Sequence, residues 1–383
     1  MQLSLDLQWE YHDIGLTAKA ATRFLRASEG SNRMPIEGLT TPVRENHRFD
    51  EPTLERHLTE HLAGFRGPLV VSQFITGQSN PTFLLEAPGA RLVMRKKPPG
   101  TLLQSAHQVE REYRIIKALE NTDVPVPRAH LLCEDTGVIG TAFFVMDFVP
   151  GRIILEPILP GMKPAERASV YDSMNETMAL LHRVDYRAVG LEGFGRPAGY
   201  VARQVARWTK QYKAAEIEPI SAMDHLMEWL ANHIPEKDET GIAHGDFRLG
   251  NLILHPTEQR VVAVLDWELS TLGHPIADLA WNCLGYHYPP DHADTGSFAG
   301  HDLKALGITT EEQYLAAYCR RTGRANIEDW NFFVAFAFFR GAAIAQGIAM
   351  RAKLGNASAP DAADRGRRAG ISAQLGWEIA QKL

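Results

Sequence analysis

Short apolar runs separated by turns dominate the first part of the chain and predict β-strands. Runs of four to eight residues rich in Val, Leu and Phe and bounded by Gly, Pro or Asn are typical of strands. Two stretches with helical periodicity, Pro52 to Phe65 and Ser105 to Leu119, accompany them. The strand-like runs are Val70 to Phe74, Phe83 to Glu86, Leu92 to Lys96 and Thr141 to Phe148.

Beyond Pro150 the pattern changes to long helical periods, in which apolar residues recur at the spacing of one helix face. Strands first and helices afterwards predict two segregated lobes rather than an alternating parallel sheet, so the expected fold class is α+β. The predicted helices are Lys163 to Val184, Tyr200 to Ala215, Met223 to Ile234, Thr310 to Thr322, Trp330 to Ala352 and Pro360 to Leu383.

One strand–turn–strand segment interrupts this helical part. Leu252 to Leu254 and Val261 to Leu265 are apolar, and the polar residues from His255 to Arg260 between them include Pro256. Such a pattern predicts a β-hairpin. Because the two ends of a hairpin lie side by side, the residues that flank it are expected at one rim.

Three oxygen-bearing side chains flank the hairpin. Asp246 and Asn251 precede its first strand, and Asp266 follows its second. Oxygen ligands are those that Mg²⁺ prefers. Protein kinases use the same interval: an Asp accepts the proton of the substrate hydroxyl, and an Asn five residues later and a further Asp hold metal. The pattern therefore predicts phosphoryl transfer.

Composition narrows the class of protein. Of the 383 residues, 45% are hydrophobic and 22% are charged, which is typical of a water-soluble globular protein. Lys and Arg number 40 against 46 Asp and Glu, so the net charge of −6 gives a nucleic-acid partner no electrostatic support. We expect neither a nucleic-acid nor a membrane partner.

The cysteines and the first 30 residues bear on localisation. Cys133, Cys283 and Cys319 are far apart in the sequence and form no C-x-x-C pair, so neither disulfides nor structural zinc is expected. The first 30 residues include Asp6, Glu10 and Asp13 and no continuous apolar region, which argues against a secretory signal. A reducing, cytoplasmic compartment is the expected location.

Arg340 decides how the longest apolar segment is interpreted. The segment from Phe332 to Met350 is interrupted by Arg340 and Gln346, and a central arginine is costly in a membrane, so a buried helix is expected. An unpaired buried charge is also unfavourable. Arg340 therefore needs a partner, which is an acid such as Asp278 or Glu268 or the anionic group of a substrate.

A second basic and aromatic group lies near the start of the helix predicted from Tyr200. It comprises Arg203, Arg207, Trp208 and Tyr212. This group could contact an anionic substrate, although packing and solvated charge explain the pattern as well.

The residues around the hairpin resemble a known family. H-G-D-F-R-L-G-N at 244–251, followed by L-D-W-E-L-S-T-L-G-H-P-I-A-D-L-A at 265–280, resembles the aminoglycoside phosphotransferase family. The form is most similar to the branch related to the kinase-like domain of acyl-CoA dehydrogenase family members 10 and 11. The resemblance implies a bilobal protein-kinase-like fold, with an extension at 1–35, an antiparallel-sheet nucleotide-binding lobe at 36–148 and a mainly helical catalytic lobe at 149–383.

The resemblance also implies nucleotide-binding residues in the smaller lobe. Arg95 occupies the position of the usual lysine that holds the α- and β-phosphates, and Glu112 of the R-E-Y triplet is expected to pair with it, whereas Glu110 is expected in solvent. Backbone groups near Asp147 and Val149 are expected to contact adenine. The loop expected to position the nucleotide contains Gly77, Gln78, Ser79 and Asn80.

In the larger lobe the resemblance implies Asp246 as the base and Asn251 and Asp266 as Mg²⁺ ligands. Glu268 could reach a second metal, or it is a solvated acid or helix cap. Arg248 is expected near the γ-phosphate or in an ion pair that holds the loop.

Two further residues of the motif are expected to be structural. His244 is expected to hydrogen-bond the backbone of the loop, and Asp278 to anchor the helix that follows it.

The implied activity is ATP- and Mg²⁺-dependent phosphorylation of a small-molecule hydroxyl by a monomer or homodimer. A hydroxyacyl-CoA or hydroxy acid is the suggested acceptor, with aminoglycoside, choline or homoserine as alternatives. A catalytically idle kinase-fold binding module is the other alternative. The intact Asp246, Asn251 and Asp266 argue against it, and the Arg95 replacement favours it. A protein kinase is disfavoured, because the chain has no A-P-E signature.

Overall fold

The computed structural model describes residues 38–75, 80–98, 108–290, 296–354 and 362–382. These residues form two compact units, one of 38–121 and 126–151 and the other of 122–125 and 152–382. The division after the strand-rich part lies at Gly151 rather than at residue 148. The predicted extension at 1–35 lies outside the described residues.

The first unit is built on a six-stranded antiparallel sheet with strand order β1-β2-β3-β4-β6-β5. The sequence pattern did not predict β1 or β5, and the last predicted strand is shorter at both ends. The strands are β1 Thr40–Thr41, β2 Val70–Phe74, β3 Thr82–Ala87, β4 Ala90–Lys96, β5 Ala129–Cys133 and β6 Phe143–Asp147.

Three helices belong to this unit: α1 Glu51–His61, α2 Val109–Leu119 and α3 Thr136–Ile139. The side chain of Asp50 caps α1 by accepting a hydrogen bond from the N–H of Thr53. Helix α1 ends before the predicted Phe65, because the backbone becomes extended at Leu62.

One face of the sheet packs on the hydrophobic core, and the other face carries the buried side chain of Arg95. Side chains alternate along a strand, so Phe83, Met94 and Phe143 face the core together with Leu54 and Leu58 of α1. Arg95, next to Met94, must then point to the opposite face of the sheet. The alternation thus places a buried cation on the face away from the apolar core.

The second unit is mainly helical, as predicted, and the α+β class is confirmed. One predicted helix begins two residues earlier, at Ser221 rather than Met223, and two helices, Pro275–Asn282 and Leu303–Leu306, are additions to the predicted set. The helices are α4 Pro164–Arg183, α5 Tyr200–Ala215, α6 Ser221–Asn232, α7 Pro275–Asn282, α8 Leu303–Leu306, α9 Glu311–Thr322, α10 Trp330–Lys353 and α11 Ala362–Ala380.

Two short antiparallel strand pairs hold the loops of the predicted site. The predicted hairpin is present as β8 Leu252–Leu254 and β9 Val261–Val264. Strand β7, Gly241–Ala243, pairs with β10, Thr271–Gly273. One loop runs from β7 to β8 and another from β9 to β10. Because both pairs are antiparallel, the two loops lie side by side.

Helix α10 is the central helix of this unit. Among the described residues it is the one helix long and apolar enough to cross a membrane by length and composition, with a mean hydropathy of 1.6. However, 83% of that apolar window is buried inside the protein, and α5, α7 and α11 pack against it. The burial agrees with the predicted core helix.

We predict an acid-sensitive ion pair between Glu239 and Arg324. The guanidinium donates to both carboxylate oxygens, and these hydrogen bonds lower the pKa of Glu239 to about 2. A lowered pKa stabilises the fold above the ordinary value of 4.5, and this stabilisation is lost as the pH falls towards 2. Glu239→Gln should therefore flatten the dependence of Tm on pH between 4.5 and 2, while Glu328→Gln, at an exposed position, leaves it unchanged.

Candidate active site

The loop between β7 and β8 carries the predicted base, Asp246, and depends on a glycine beside it. Gly245 has a φ of +86°, and a Cβ there would lie 2.7 Å from the carbonyl oxygen of Leu269. Only glycine adopts this conformation without strain at such a close approach. The β7–β8 loop can therefore lie directly against the β9–β10 loop.

Three donors fix the carboxylate of Asp246, which is 5% exposed. The indole Nε1–H of Trp281 donates to Oδ1 at 2.9 Å. The amide Nδ2 of Asn251 and the Nε of Arg248 donate to Oδ2 at 2.9 and 3.1 Å. An ionised carboxylate only accepts hydrogen bonds, so the three donors hold it in one orientation.

Asn251 lies where a cation ligand is needed. Its Nδ2 donates to the carboxylate and to the backbone carbonyl of Asp246, which leaves Oδ1 as the atom that can ligate a metal. The N–H of Leu265 donates to the carbonyl of Asn251 at 2.8 Å. This hydrogen bond brings the backbone of the next residue, Asp266, close to Asn251, as the hairpin pattern predicted.

Asp266 adopts a backbone conformation that is unusual for its residue type. Its φ of 65° and ψ of 60° place it in the left-handed region, which Asp and Asn tolerate better than most other residues. Strained backbone of this kind is frequent at functional sites. Glu268 lies in the single 3₁₀ turn that follows, Trp267–Leu269.

These residues fit Mg²⁺ better than a metal that needs a complete protein cage. The described part of the chain contains no group of three His, Cys, Asp or Glu side chains that could hold a metal. Mg²⁺ usually takes one or two carboxylates and completes its shell with water and phosphate oxygens. The amide oxygen of Asn251 and the carboxylate of Asp266 are a set of that kind.

His244 joins the two loops through its imidazole ring. The N–H of Asp246 donates to Nδ1 at 3.2 Å, so Nδ1 is unprotonated and the ring proton is on Nε2. Nε2 lies 2.8 Å from the carbonyl oxygen of Leu265, to which it donates. The predicted structural role of His244 agrees with these contacts.

Asp278, on α7, ties its helix to the β7–β8 loop, which agrees with the structural role predicted for it. Its carboxylate accepts from the N–H groups of His244 and Gly245 at 2.7 and 2.9 Å. Burial opposes the ionised form, but the hydrogen bonds from His182, 3.4 Å away, and from the backbone N–H of His244 hold the pKa of Asp278 below its usual value. A charged anchor thus lies beneath the catalytic loop.

We predict that Asp278→Asn destabilises the fold by about 2–3 kcal/mol, because an amide cannot accept both backbone N–H groups at the same positions. Thermal unfolding measures the loss. Asp172→Asn is the matched control, since its ion pair with Arg321 lies at the surface, where such pairs contribute about 0–1 kcal/mol. Equal melting temperatures for the two variants would refute the anchoring role.

Two arginines of the site contact the β7–β8 loop, one through the side chain of Asp246 and the other through a backbone carbonyl. Arg248 forms an ion pair with Asp246, one of the two arrangements considered for it. Arg340 donates from Nη2 to the carbonyl of Gly245 at 2.6 Å. The predicted acidic partners of Arg340 are wrong, because it packs against aromatic rings instead of a carboxylate.

Trp281 is the contact to Asp246 that the sequence did not reveal. Its sequence surroundings, D-L-A-W-N, are those of an ordinary apolar helix face. Only the direction of the indole N–H, towards a carboxylate 35 positions earlier in the chain, distinguishes it from a core tryptophan.

The first unit carries the predicted cation. Arg95 Nη1 lies 3.0 Å from Oε2 of Glu112, with side chains 9% and 0% exposed. Asn80, predicted to contact nucleotide, donates from Nδ2 to Oε1 of Glu112 at 2.6 Å. Glu110 is paired with Lys97 at 2.9 Å, so the prediction that it is merely solvated is wrong.

The remaining nucleotide contacts are less defined. Gly77, Gln78 and Ser79 lie outside the described residues. Asp147 donates its N–H to the carbonyl of Arg128, and its carboxylate accepts from His130 at 2.6 Å. Val149 is half-buried just beyond β6. Adenine contacts at Asp147 and Val149 stay predictions.

Taken by unit, the residues define a class. One unit has a buried ion pair between Arg95 and Glu112 on an antiparallel sheet. The other unit has Asp246, Asn251 and Asp266 around a hairpin. Kinase-like phosphotransferases use residues of these types. The chain belongs to the phosphotransferase enzyme family, whose sequence profile matches residues 70–330.

Relatives extend this assignment. A Ralstonia eutropha JMP134 crystal structure, of a protein whose name places it among aminoglycoside phosphotransferases, is 52% identical with a TM-score of 0.82, covering 88% of this chain and 99% of that one. A thermostable variant of aminoglycoside phosphotransferase APH(4)-Ia, in complex with AMP-PNP and hygromycin B, is 16% identical with a TM-score of 0.55, covering 85% and 98%. At that identity it shares the fold alone.

The mouse acyl-CoA dehydrogenase family member 10 is 46% identical over 344 residues. The match covers 90% of this chain and 32% of the mouse protein. This chain therefore spans about a third of that relative.

Proposed function

We propose that this protein is an ATP- and Mg²⁺-dependent kinase that phosphorylates the hydroxyl of a hydroxy acid or of its acyl-CoA thioester. The observation that carries the proposal is the carboxylate of Asp246, which hydrogen bonds hold in one orientation. The amide oxygen of Asn251 and the backbone of Asp266 lie beside it. An idle binding module has no need of a base held by three donors. A cytoplasmic location is part of the proposal, and the three free, buried cysteines support it.

The residues divide the work of phosphoryl transfer among them. Asp246 orients the acceptor hydroxyl and accepts its proton as the bond to phosphorus forms. Asn251 Oδ1 and the Asp266 carboxylate would hold Mg²⁺, which neutralises charge on the leaving phosphate. Arg95, oriented by Glu112, would hold the α- and β-phosphates. Its planar fork can pair with phosphate oxygens in two directions, which a lysine cannot do.

The charge near Asp246 supports an acyl acceptor rather than an aminoglycoside. Arg248 and Arg340 contact the loop of Asp246, and within the described part of the chain Asp278 is the one acid from outside the loop that is hydrogen-bonded to it. A polycationic antibiotic would meet like charges there. The mouse relative is named as a member of the acyl-CoA dehydrogenase family, and that name supports a substrate with an acyl group.

A transfer assay with ATP and Mg²⁺ tests the proposal against its alternatives. The acceptors are hydroxyacyl-CoAs, free hydroxy acids, aminoglycosides, choline and homoserine. We expect phosphorylation of hydroxyacyl compounds that EDTA abolishes. Preference for an aminoglycoside, choline or homoserine would replace the acceptor class, and ATP binding without any transfer would favour the idle binding module.

A further inference from the structure

Arg340 is a buried cation that forms no ion pair with any carboxylate of the described residues. Arg340 lies in the middle of α10 and is 9% exposed. Nη2 donates to the carbonyl of Gly245, whereas the buried Nε has no hydrogen-bond partner. A guanidinium offers five N–H donors, so Gly245 satisfies only a part of this one.

Aromatic rings make up the rest of its surroundings. The guanidinium carbon lies 4.3 Å from the ring centroid of Trp281 and 5.7 Å from that of Trp208. Rings attract a cation through their faces but accept no strong hydrogen bonds. Such a pocket stabilises the charge and leaves donors for an oxygen that arrives with a ligand.

A second guanidinium reinforces the positive charge. Arg207 on α5 lies 5.8 Å from the ring of Trp208, the same ring that Arg340 approaches. Burial and the charge of Arg340 lower the pKa of Arg207, although Tyr200 opposes this. Burial raises the pKa of Tyr200, and the charges of Arg340 and Arg207 oppose this rise. Three donor groups from α5 and α10 therefore share one small region.

Trp281 connects this region to the reacting group. One face of its indole supports Arg340, while its Nε1–H donates to Oδ1 of Asp246. The guanidinium and the base thus contact the same indole ring, one at its face and the other at its N–H edge. A single small molecule can place a hydroxyl on Asp246 and another oxygen near Arg340.

We propose that Arg340, with Arg207 adding charge, binds the acyl oxygen of the acceptor whose hydroxyl faces Asp246. That oxygen belongs to the carboxylate of a hydroxy acid or to the thioester carbonyl of its CoA ester. The inference rests on the proposed kinase activity and adds to it the group that selects acyl acceptors. It makes Arg340 a specificity residue in addition to its contact with the loop carbonyl.

Calorimetric titration provides a test that does not depend on turnover. A hydroxy acid and its CoA thioester are titrated into wild type and Arg340→Gln in the presence of AMP-PNP and Mg²⁺. We expect at least tenfold weaker binding of the preferred form in the variant, and the form that wild type prefers identifies the source of the oxygen. Unchanged affinity in a folded variant would overturn the proposal, whatever the kinase assay shows.

Steady-state kinetics separates acceptor binding from positioning of the loop through Gly245. The kcat/KM of Arg340→Gln is compared for the acyl acceptor and for an alcohol of equal chain length without an acyl group. We expect the ratio between the two acceptors to fall at least tenfold. An equal loss for both would mean that Arg340 only positions the loop.

Two further variants guard against misfolding. Arg207→Gln removes the second charge without touching Gly245, and we expect a three- to tenfold loss of affinity for the acyl acceptor. Arg320→Gln removes an exposed charge on α9 and should leave affinity unchanged. If Arg340→Gln fails to fold and Arg207→Gln binds like the Arg320→Gln control, the site is refuted.

Discussion

Asp246→Asn is expected to lower kcat more than a hundredfold, equivalent to about 3 kcal/mol or more in the activation barrier. The amide cannot accept the proton of the acceptor hydroxyl. It also turns an NH₂ group towards Trp281 on one side or towards Asn251 and Arg248 on the other, where all three are donors. Single-turnover transfer of phosphate to the best acceptor measures the loss.

The control measurement for Asp246→Asn is its affinity for ATP. This affinity should be unchanged, because we propose that Arg95 and the metal ion, not Asp246, bind the phosphates. Thermal unfolding shows whether the variant keeps its fold. A well-folded Asp246→Asn protein with near-normal turnover would remove Asp246 as the base.

Asp266→Asn is expected to weaken Mg²⁺-dependent ATP binding at least tenfold, about 1.4 kcal/mol. Asparagine is the informative replacement, because it tolerates the left-handed backbone of this position about as well as aspartate does and removes only the charge. Asp266→Ala would add backbone strain to the loss of the ligand. Calorimetry with Mg²⁺ and with EDTA measures the metal-dependent part.

The companion variant Glu268→Gln tests whether Glu268 takes part in the proposed metal site. A smaller effect than that of Asp266→Asn would assign Glu268 to the second metal or its water shell, and no effect would leave it a structural acid. The proposed metal site would be refuted if EDTA did not weaken ATP binding to the wild type and Asp266→Asn bound ATP with unchanged affinity.

Local patterns predicted most of the secondary structure of the helical unit. Helix α4 and the hairpin β8–β9 were predicted to within about one residue, because each has a clear period and turn residues at its ends. Strand β5 was missed. It has five residues and no flanking turn that distinguishes it from a loop, and it forms because β6 offers hydrogen bonds to it.

The grouping of the proposed catalytic residues could be predicted from the sequence for a similar reason. Asp246, Asn251 and Asp266 are separated by one short turn and one hairpin, so chain connectivity alone brings them together. Arg95 and Glu112 lie on separate elements, a strand and a helix. Only the family resemblance, not periodicity, paired them before the ion pair was seen.

By itself the sequence determined the fold class, the helical core segment and the grouping of the proposed catalytic residues, because these follow from side-chain period and short-range connectivity. The tertiary structure alone decided what surrounds them. Asp278 holds the loop from α7, Trp281 donates to Asp246, and Arg340 reaches Gly245 across 95 positions. No local spacing rule governs such contacts, since packing of distant helices decides which polar atom a buried side chain meets.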